Sequence, residues 1–152
     1  MPVEVRDLSH VYNEDSPFSA AALKGVSLTI ADGEFLAVIG HTGSGKSTLI
    51  QHLNGLIRPT GGTVVVDGMD IADKGTNLRE VRRRVGLVFQ YPEYQLFEET
   101  VYKDIAFGPA NMGLSAEEID RRVQRAAAFC GIDSCFLQRS PFELSGGQKR
   151  RI

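Results

Sequence analysis

Residues Gly40-His41-Thr42-Gly43-Ser44-Gly45-Lys46-Ser47 follow the pattern G-x-x-x-x-G-K-[ST]. The chemistry of that spacing is phosphate binding. Its glycines allow the backbone to bend until successive N–H groups converge on phosphate oxygens. A helix starting at the end of the loop adds its positive terminus at the same place. Lys46 supplies a point charge for the β- and γ-phosphates of a nucleotide such as ATP, and the Ser47 hydroxyl a ligand for Mg²⁺. The expected phosphate-binding set is therefore Gly40, His41, Thr42, Gly43, Ser44, Gly45, Lys46, Ser47 and the adjoining Thr48. A glycine-rich turn between a strand and a helix can match the pattern by chance. Here an apolar run precedes the loop and helical spacing follows it, as a phosphate loop requires.

Other residues are candidates with plainer alternatives. Leu144-Ser145-Gly146-Gly147-Gln148 opens a predicted helix with Ser145 at the cap and two glycines exposing backbone N–H groups. A simple helix cap after Pro141 would look the same. Gln90 ends an apolar run, as any polar strand end does. Tyr12 follows the first strand, where an aromatic can simply cover the sheet edge. Cys130 and Cys135 have no second Cys or His pair nearby. They make a poor metal site and read as buried thiols.

The elements that must position these residues are legible in outline. Val3–Leu8 and Leu23–Ile30 alternate apolar and polar residues and read as half-buried strands. Phe35–Ile39 and Val85–Phe89 are continuous apolar runs, expected as buried central strands. Apolar residues at Leu49, Ile50, Leu53 and Leu56 predict a helix over Ser47–Leu56. Thr63–Val66 followed by Asp67-Gly68 predicts a hairpin strand, and Leu78–Arg84 a short helix. After Gln90 the chain becomes helical, with Pro92, Pro109 and Pro141 as punctuation. Ser115-Ala116-Glu117-Glu118 has the form of a capping box, with Ile119, Val123, Ala126 and Cys130 on one face of the helix it starts. A helical subdomain over 91–141 is the expectation.

Composition narrows the classes. The net charge of −2 argues against a nucleic-acid partner. Arg82-Arg83-Arg84 and Lys149-Arg150-Arg151 read more simply as solvated helix faces than as anion contacts. No apolar run approaches the roughly 20 residues that cross a bilayer. Any role at a membrane would run through a partner.

Leu144–Gln148 resembles the LSGGQ signature of ATP-binding cassette (ABC) ATPases, which reaches across a head-to-tail dimer to the nucleotide of a second ATPase chain. The resemblance implies that Gln90 is the glutamine that ligates Mg²⁺ and orients water, that Lys46 and Gln90 serve catalysis, and that Ser47 and Gln90 hold the metal. It also implies that Tyr12 stacks on adenine. Phe89 to Phe97 (FQYPEYQLF), Glu98 to Val101, Asp104 to Pro109 and the LSGGQKRR of Leu144–Arg151 are similar to the cassettes of energy-coupling factor transporters, which take up vitamins, cobalt and nickel. Partners implied are a second cassette, a transmembrane scaffold subunit docking on Tyr94, Leu96 and Phe97, and a membrane subunit that binds the substrate. The place implied is the cytoplasmic face of the cell membrane, as a peripheral protein.

In that family a strand ending in Asp-Glu and a histidine follow the signature. Val64-Val65-Val66-Asp67 is not that strand, because Gly68 follows and the run precedes Gln90. None of His10, His41 and His52 follows the signature either. The expectation is a partial cassette, residues 1–152, that binds ATP without hydrolysing it. The expected fold class is α/β: a P-loop core with an antiparallel β flap and a helical subdomain. Two alternatives remain open at this stage. One is a soluble DNA-repair or chromosome ATPase, disfavoured by the short interval between Gln90 and Leu144. The other is a non-catalytic nucleotide-binding fragment.

Overall fold

Val3 and Val5 pack inward from the first strand, then the alternation breaks. The computed structural model describes residues 1–152 and divides into two units, Met1–Leu87 and Val88–Ile152. In the first, β1 (Val3–Tyr12), β2 (Ala20–Ile30), β3 (Gly61–Val66) and β4 (Met69–Asp70) form an antiparallel sheet in the order β2-β1-β3-β4. Val5 lies opposite Leu28 on β2 and Val64 on β3. The register slips between Arg6 and Ser9, where Asp7 has φ 49°. This bulge inserts one residue and reverses the phase. Leu8 and His10 are buried after it, where unbroken alternation from Val5 would have turned Asp7 and Ser9 inward. β1 consequently runs on to Tyr12, four residues past the predicted end at Leu8.

One face of this sheet carries a core of Val3, Val5, Leu8, Leu23, Val64 and Val66, joined by Leu49, Ile71 and Val81. Asp67 and Gly68, both with positive φ, close the β3–β4 hairpin as their types predict. α1 (Lys46–Leu53) is shorter than expected, because the chain turns at Asn54-Gly55 and leaves Leu56 exposed. α2 (Leu78–Arg84) has the predicted bounds, with the Asn77 side chain accepting the Arg79 N–H at its start. Its arginines are engaged locally: Arg82 donates to the Gly55 carbonyl, and Arg84 pairs with Asp67 and Glu80.

Phe35–Ile39 and Val85–Phe89 are not the buried central strands that their composition predicts. Neither has a strand assignment, and Phe35 is 95% and Ile39 92% exposed. An apolar run of this kind is stabilised by pairing on both edges and cover on both faces. No segment of residues 1–152 pairs with either run.

The second unit is helical. Pro92 starts a 3₁₀ turn (Pro92–Gln95), followed by α3 (Val101–Asn111), α4 (Ala116–Phe129) and α5 (Gly146–Lys149). Its core is Val101, Ala106, Val123, Ala127, Leu137 and Leu144. The buried stripe of α4 runs through Val123 and Ala127 at i, i+4 spacing, with Ile119 partly buried; Ala126 and Cys130, expected on that face, are exposed. The Ser115 oxygen takes the Glu118 N–H as predicted, but Glu118 does not reach back to close a capping box. Its carboxylate instead binds Arg121 and Arg122 one turn on, at 2.7 and 2.8 Å. Charge-assisted pairs of that kind outweigh a bond to one neutral N–H. Both cysteines are exposed rather than buried. Cys130 is the C-cap of α4 and Cys135 lies in a surface 3₁₀ turn, so neither meets the core.

Candidate functional site

The phosphate-loop pattern occupies the first unit, between the Phe35–Ile39 run and α1. Gly45 is the N-cap of α1, with φ 90° and ψ 2°. A Cβ there would lie 2.6 Å from the Ala22 carbonyl oxygen and 2.8 Å from Leu23 Cδ2, so β2 confines this corner to glycine. Only the Ser44 amide is spent on a turn, donating to the His41 carbonyl at 3.2 Å. The amides of Gly43, Gly45, Lys46 and Ser47 have no backbone acceptor, which leaves a row of donors at a helix start. Such a row suits an anion.

The Lys46 ammonium is folded over this loop. Nζ donates to the Gly40 and His41 carbonyls at 2.7 Å each, with the Ser44 hydroxyl at 3.4 Å. The backbone thus holds the only lysine of the loop against its own curve, where an incoming phosphate would meet it. The His41 ring is turned to the neighbouring backbone, with Nδ1 2.8 Å from the Thr42 carbonyl. Ser47 stands exposed in the first turn of α1, and Thr48 is buried one residue further.

Tyr12 is brought to this loop. Its hydroxyl is 3.2 Å from Thr48 Oγ1, while 38% of the residue remains exposed. Sequence reasoning treated His10 and His52 only as histidines in the wrong place. They form an aromatic cluster with Tyr12: the His10 ring centroid lies 4.5 Å from that of Tyr12 and 4.8 Å from that of His52. Burial pushes the His52 pKa below the ordinary histidine value, the Thr48 carbonyl opposes this, and His10 adds to the lowering. The available signals were weak: His10 shares a strand face with Tyr12, and His52 lies four residues after Thr48.

Gln90 and the Leu144–Gln148 segment belong to the second unit. Gln90 is exposed in a bend just before the Pro92 turn. Leu144 is buried and anchors the segment. Ser145 caps α5 in a closed capping box: its hydroxyl accepts the Gln148 N–H, and Gln148 Oε1 accepts the Ser145 N–H at 2.9 Å. Gly146 and Gly147 are exposed beside it. Arg150 pairs with Glu93 at 3.1 Å and holds its carboxyl below the ordinary range, fastening the turn after Gln90 to the end of α5. Arg151 donates to the Gly147 and Gly131 carbonyls. Both arginines of the second basic cluster are therefore bound within their own unit. No helix of the chain is long and apolar enough to cross a membrane.

Comparison with known proteins agrees with these motifs. The ABC transporter family pattern matches residues 23–152. The energy-coupling factor transporter ATP-binding protein EcfA2 of Caldanaerobacter subterraneus is 58% identical over 152 residues, all of this chain and 53% of the relative. EcfA2 of Symbiobacterium thermophilum is 60% identical with the same coverage. The chain spans about half the length of the curated relatives it matches. A dimeric ATP-binding cassette, MJ0796, solved in a post-hydrolysis state with ADP and Pi, superposes with TM-score 0.85 at 30% identity, over 98% of this chain and 66% of that one. CbiO1 of Clostridium perfringens, described as part of the ABC transporter complex cbiONQ, gives TM-score 0.79 at 38% identity, over 98% and 57%. The fold of this chain thus matches solved ATP-binding cassettes, and the chain belongs to the ABC transporter family.

Proposed function

We propose that the chain is the nucleotide-binding part of an ATPase subunit that powers an energy-coupling factor importer of a vitamin or metal ion. The observation that carries this reading is the phosphate loop itself. Lys46 Nζ sits on the loop carbonyls, beside amides with no other partner. That arrangement would stabilise a polyphosphate through oriented donors and one positive charge held on the loop. The amides of Gly43, Gly45, Lys46 and Ser47, with Thr48 adjoining, would hold the phosphates, and Tyr12 would stack on the adenine.

The chemistry of Ser47 and Gln90 suits a hard cation, since Ser47 offers a hydroxyl oxygen and Gln90 a side-chain amide oxygen. Mg²⁺ bound by Ser47 and Gln90 would neutralise charge on the phosphates. The exposed Ser145-Gly146-Gly147 face of α5 would meet the nucleotide of a second cassette. Tyr94 and Phe97, 80% and 58% exposed, together with Leu96 would receive the membrane scaffold subunit. A further membrane subunit would choose the substrate. The protein would work at the cytoplasmic face of the membrane, without nucleic acid.

Isothermal calorimetry of ATP and AMP tests the reading. Lys46→Ala removes a hydrogen-bonded charge aimed at the terminal phosphates, worth about 1.5–3 kcal/mol, or about 10- to 150-fold in affinity. ATP binding should weaken by that factor and AMP binding should not. Equal weakening of both would overturn the assignment.

A further inference from the structure

His10 and His52 have no task in phosphate binding, yet they are buried against each other between β1 and α1. His52 is 0% and His10 7% exposed. The two rings meet edge to face, with 73° between their planes, and His10 meets Tyr12 in the same way at 80°. His52 Nδ1 is 2.7 Å from the Thr48 carbonyl. A carbonyl only accepts, so Nδ1 carries the proton and the neutral ring presents Nε2 as a bare acceptor. Tyr12 returns to the same residue through its hydroxyl, 3.2 Å from Thr48 Oγ1. Tyr12, His10, His52 and Thr48 therefore close a ring of contacts that joins the end of β1 to the first turns of α1. His10 Nδ1 and His52 Nε2 are buried without a hydrogen-bond partner. Unpaired buried polar atoms are costly, and an aliphatic side chain at either position would fill space without that cost. Two imidazoles in such a place need a reason beyond packing.

We propose that His10 and His52 are positioning residues for nucleotide binding: they fix the Tyr12 ring edge-on and tie it through Thr48 to the phosphate loop. The proposal rests on the reading of Tyr12 as the adenine-stacking residue. Thr48 is the next residue after Ser47, so the ring sets the stacking surface relative to the phosphate cradle before nucleotide arrives. A stacking side chain already held in its binding orientation loses less conformational entropy when the base docks.

The titratable group facing His52 is His10, from β1. The Thr48 carbonyl on α1 and the Arg58 carbonyl beyond it favour the protonated ring, but burial outweighs them and lowers the His52 pKa. The sign follows from linkage. A histidine whose pKa is depressed by folding contributes fully above its unfolded value of about 6.5, and that contribution falls as pH drops below it. Protonation also turns Nε2 from an acceptor into a donor.

The test compares ATP with inorganic tripolyphosphate by calorimetry at neutral pH. Tyr12→Ala should weaken ATP about 5- to 150-fold, the range for loss of one stacked base. Tyr12→Phe, which loses the bond to Thr48, and His52→Phe, which loses the Nδ1 donor, should each weaken ATP about 2- to 10-fold. His52→Asn keeps an N–H at the δ position and should recover binding. Tripolyphosphate affinity should be unchanged throughout. If Tyr12→Ala weakens ATP while Tyr12→Phe and His52→Phe bind like wild type, the positioning proposal is wrong. It is equally wrong if His52→Phe weakens ATP and tripolyphosphate alike, since the histidine then supports only the loop. If Tyr12→Ala has no effect on ATP, the adenine reading itself fails and nucleotide binding no longer reports on the ring. An NMR titration of the unliganded wild-type chain decides the network independently of nucleotide and of any variant's folding. Tyr12 ring resonances that move together with the His52 titration below pH ~6.5 support the coupling. A His52 titration that leaves Tyr12 unmoved overturns it.

Discussion

Alanine at Gly43 and at Gly45 should have different consequences, although both positions belong to one loop and both have positive φ. Gly43 has φ 84° with open space where a Cβ would go, and Gly45 has φ 90° with β2 in the way. A left-handed conformation costs a non-glycine residue about 1–2 kcal/mol. Loss of unfolded-chain freedom on replacing glycine offsets about 0.4–1 kcal/mol. Gly43→Ala should therefore destabilise by about 0–1.6 kcal/mol. At Gly45 the new methyl meets the Ala22 carbonyl oxygen at 2.6 Å and Leu23 Cδ2 at 2.8 Å. The leucine can rotate away. The carbonyl cannot, because β2 is paired with β1 across this stretch, Leu23 opposite His10.

Forcing a group into a packed site costs about 1–3 kcal/mol, and this is the expected difference between the two variants. For 152 residues it corresponds to a melting point about 2–12 °C lower for Gly45→Ala than for Gly43→Ala. Urea unfolding followed by far-UV circular dichroism gives the same comparison without heating. ATP affinity should fall more for Gly45→Ala, since α1 and Lys46 must shift to relieve the contact. Equal stabilities for the two variants, within about 0.5 kcal/mol, would show that β2 does not confine the loop.

Three further outcomes are expected. Arg121 and Arg122 hold the Glu118 carboxyl down to about 2, so its contribution to α4 is present above the unfolded value near 4.5 and is lost as pH falls towards 2; an NMR titration of the Glu118 side chain that ends near 4.5 would contradict this. Replacing exposed Tyr94 and Phe97, with Leu96, by serine in a cassette assembled with its scaffold subunit should abolish co-purification and preserve ATP affinity; a substituted chain that no longer folds would identify these side chains as core. Residues 1–152 should bind ATP without steady-state turnover, because a positioned general base is worth about 10²- to 10⁴-fold and none is expected among them; phosphate release near 1 s⁻¹ that is abolished by Lys46→Ala would refute this.

The parts of the site legible in the sequence are those whose geometry is local. Gly40–Ser47 bends and starts a helix by itself, Asp67-Gly68 closes a hairpin between adjacent strands, and Asn77 and Ser145 cap helices within three residues. Parts that depend on distant neighbours were not legible. The composition of Phe35–Ile39 and Val85–Phe89 describes a strand with partners on both sides, but pairing is a property of two segments. Sequence periodicity reports the first segment only. Glu118 failed as a capping residue for a related reason: the S-x-x-E pattern ignores two arginines that reach the same carboxylate from the next turn.

The Asp7 bulge determines which face of β1 carries Tyr12. With uniform alternation from Val3 and Val5, odd-numbered residues would stay inward, and both His10 and Tyr12 would face away from α1. The inserted residue reverses the phase. Leu8 becomes core, His10 is buried against His52, and the Tyr12 hydroxyl meets Thr48. The bulge is held by bonds that a regular strand would not make: the Asp7 N–H donates to Ser27 Oγ, and Ser9 Oγ accepts the Gly25 N–H at 3.0 Å. A slip of one residue in β1 thus connects the hairpin of the flap to the orientation of one aromatic ring beside the phosphate loop. Ser9 and Ser27 thereby help to decide which face of the strand presents that ring.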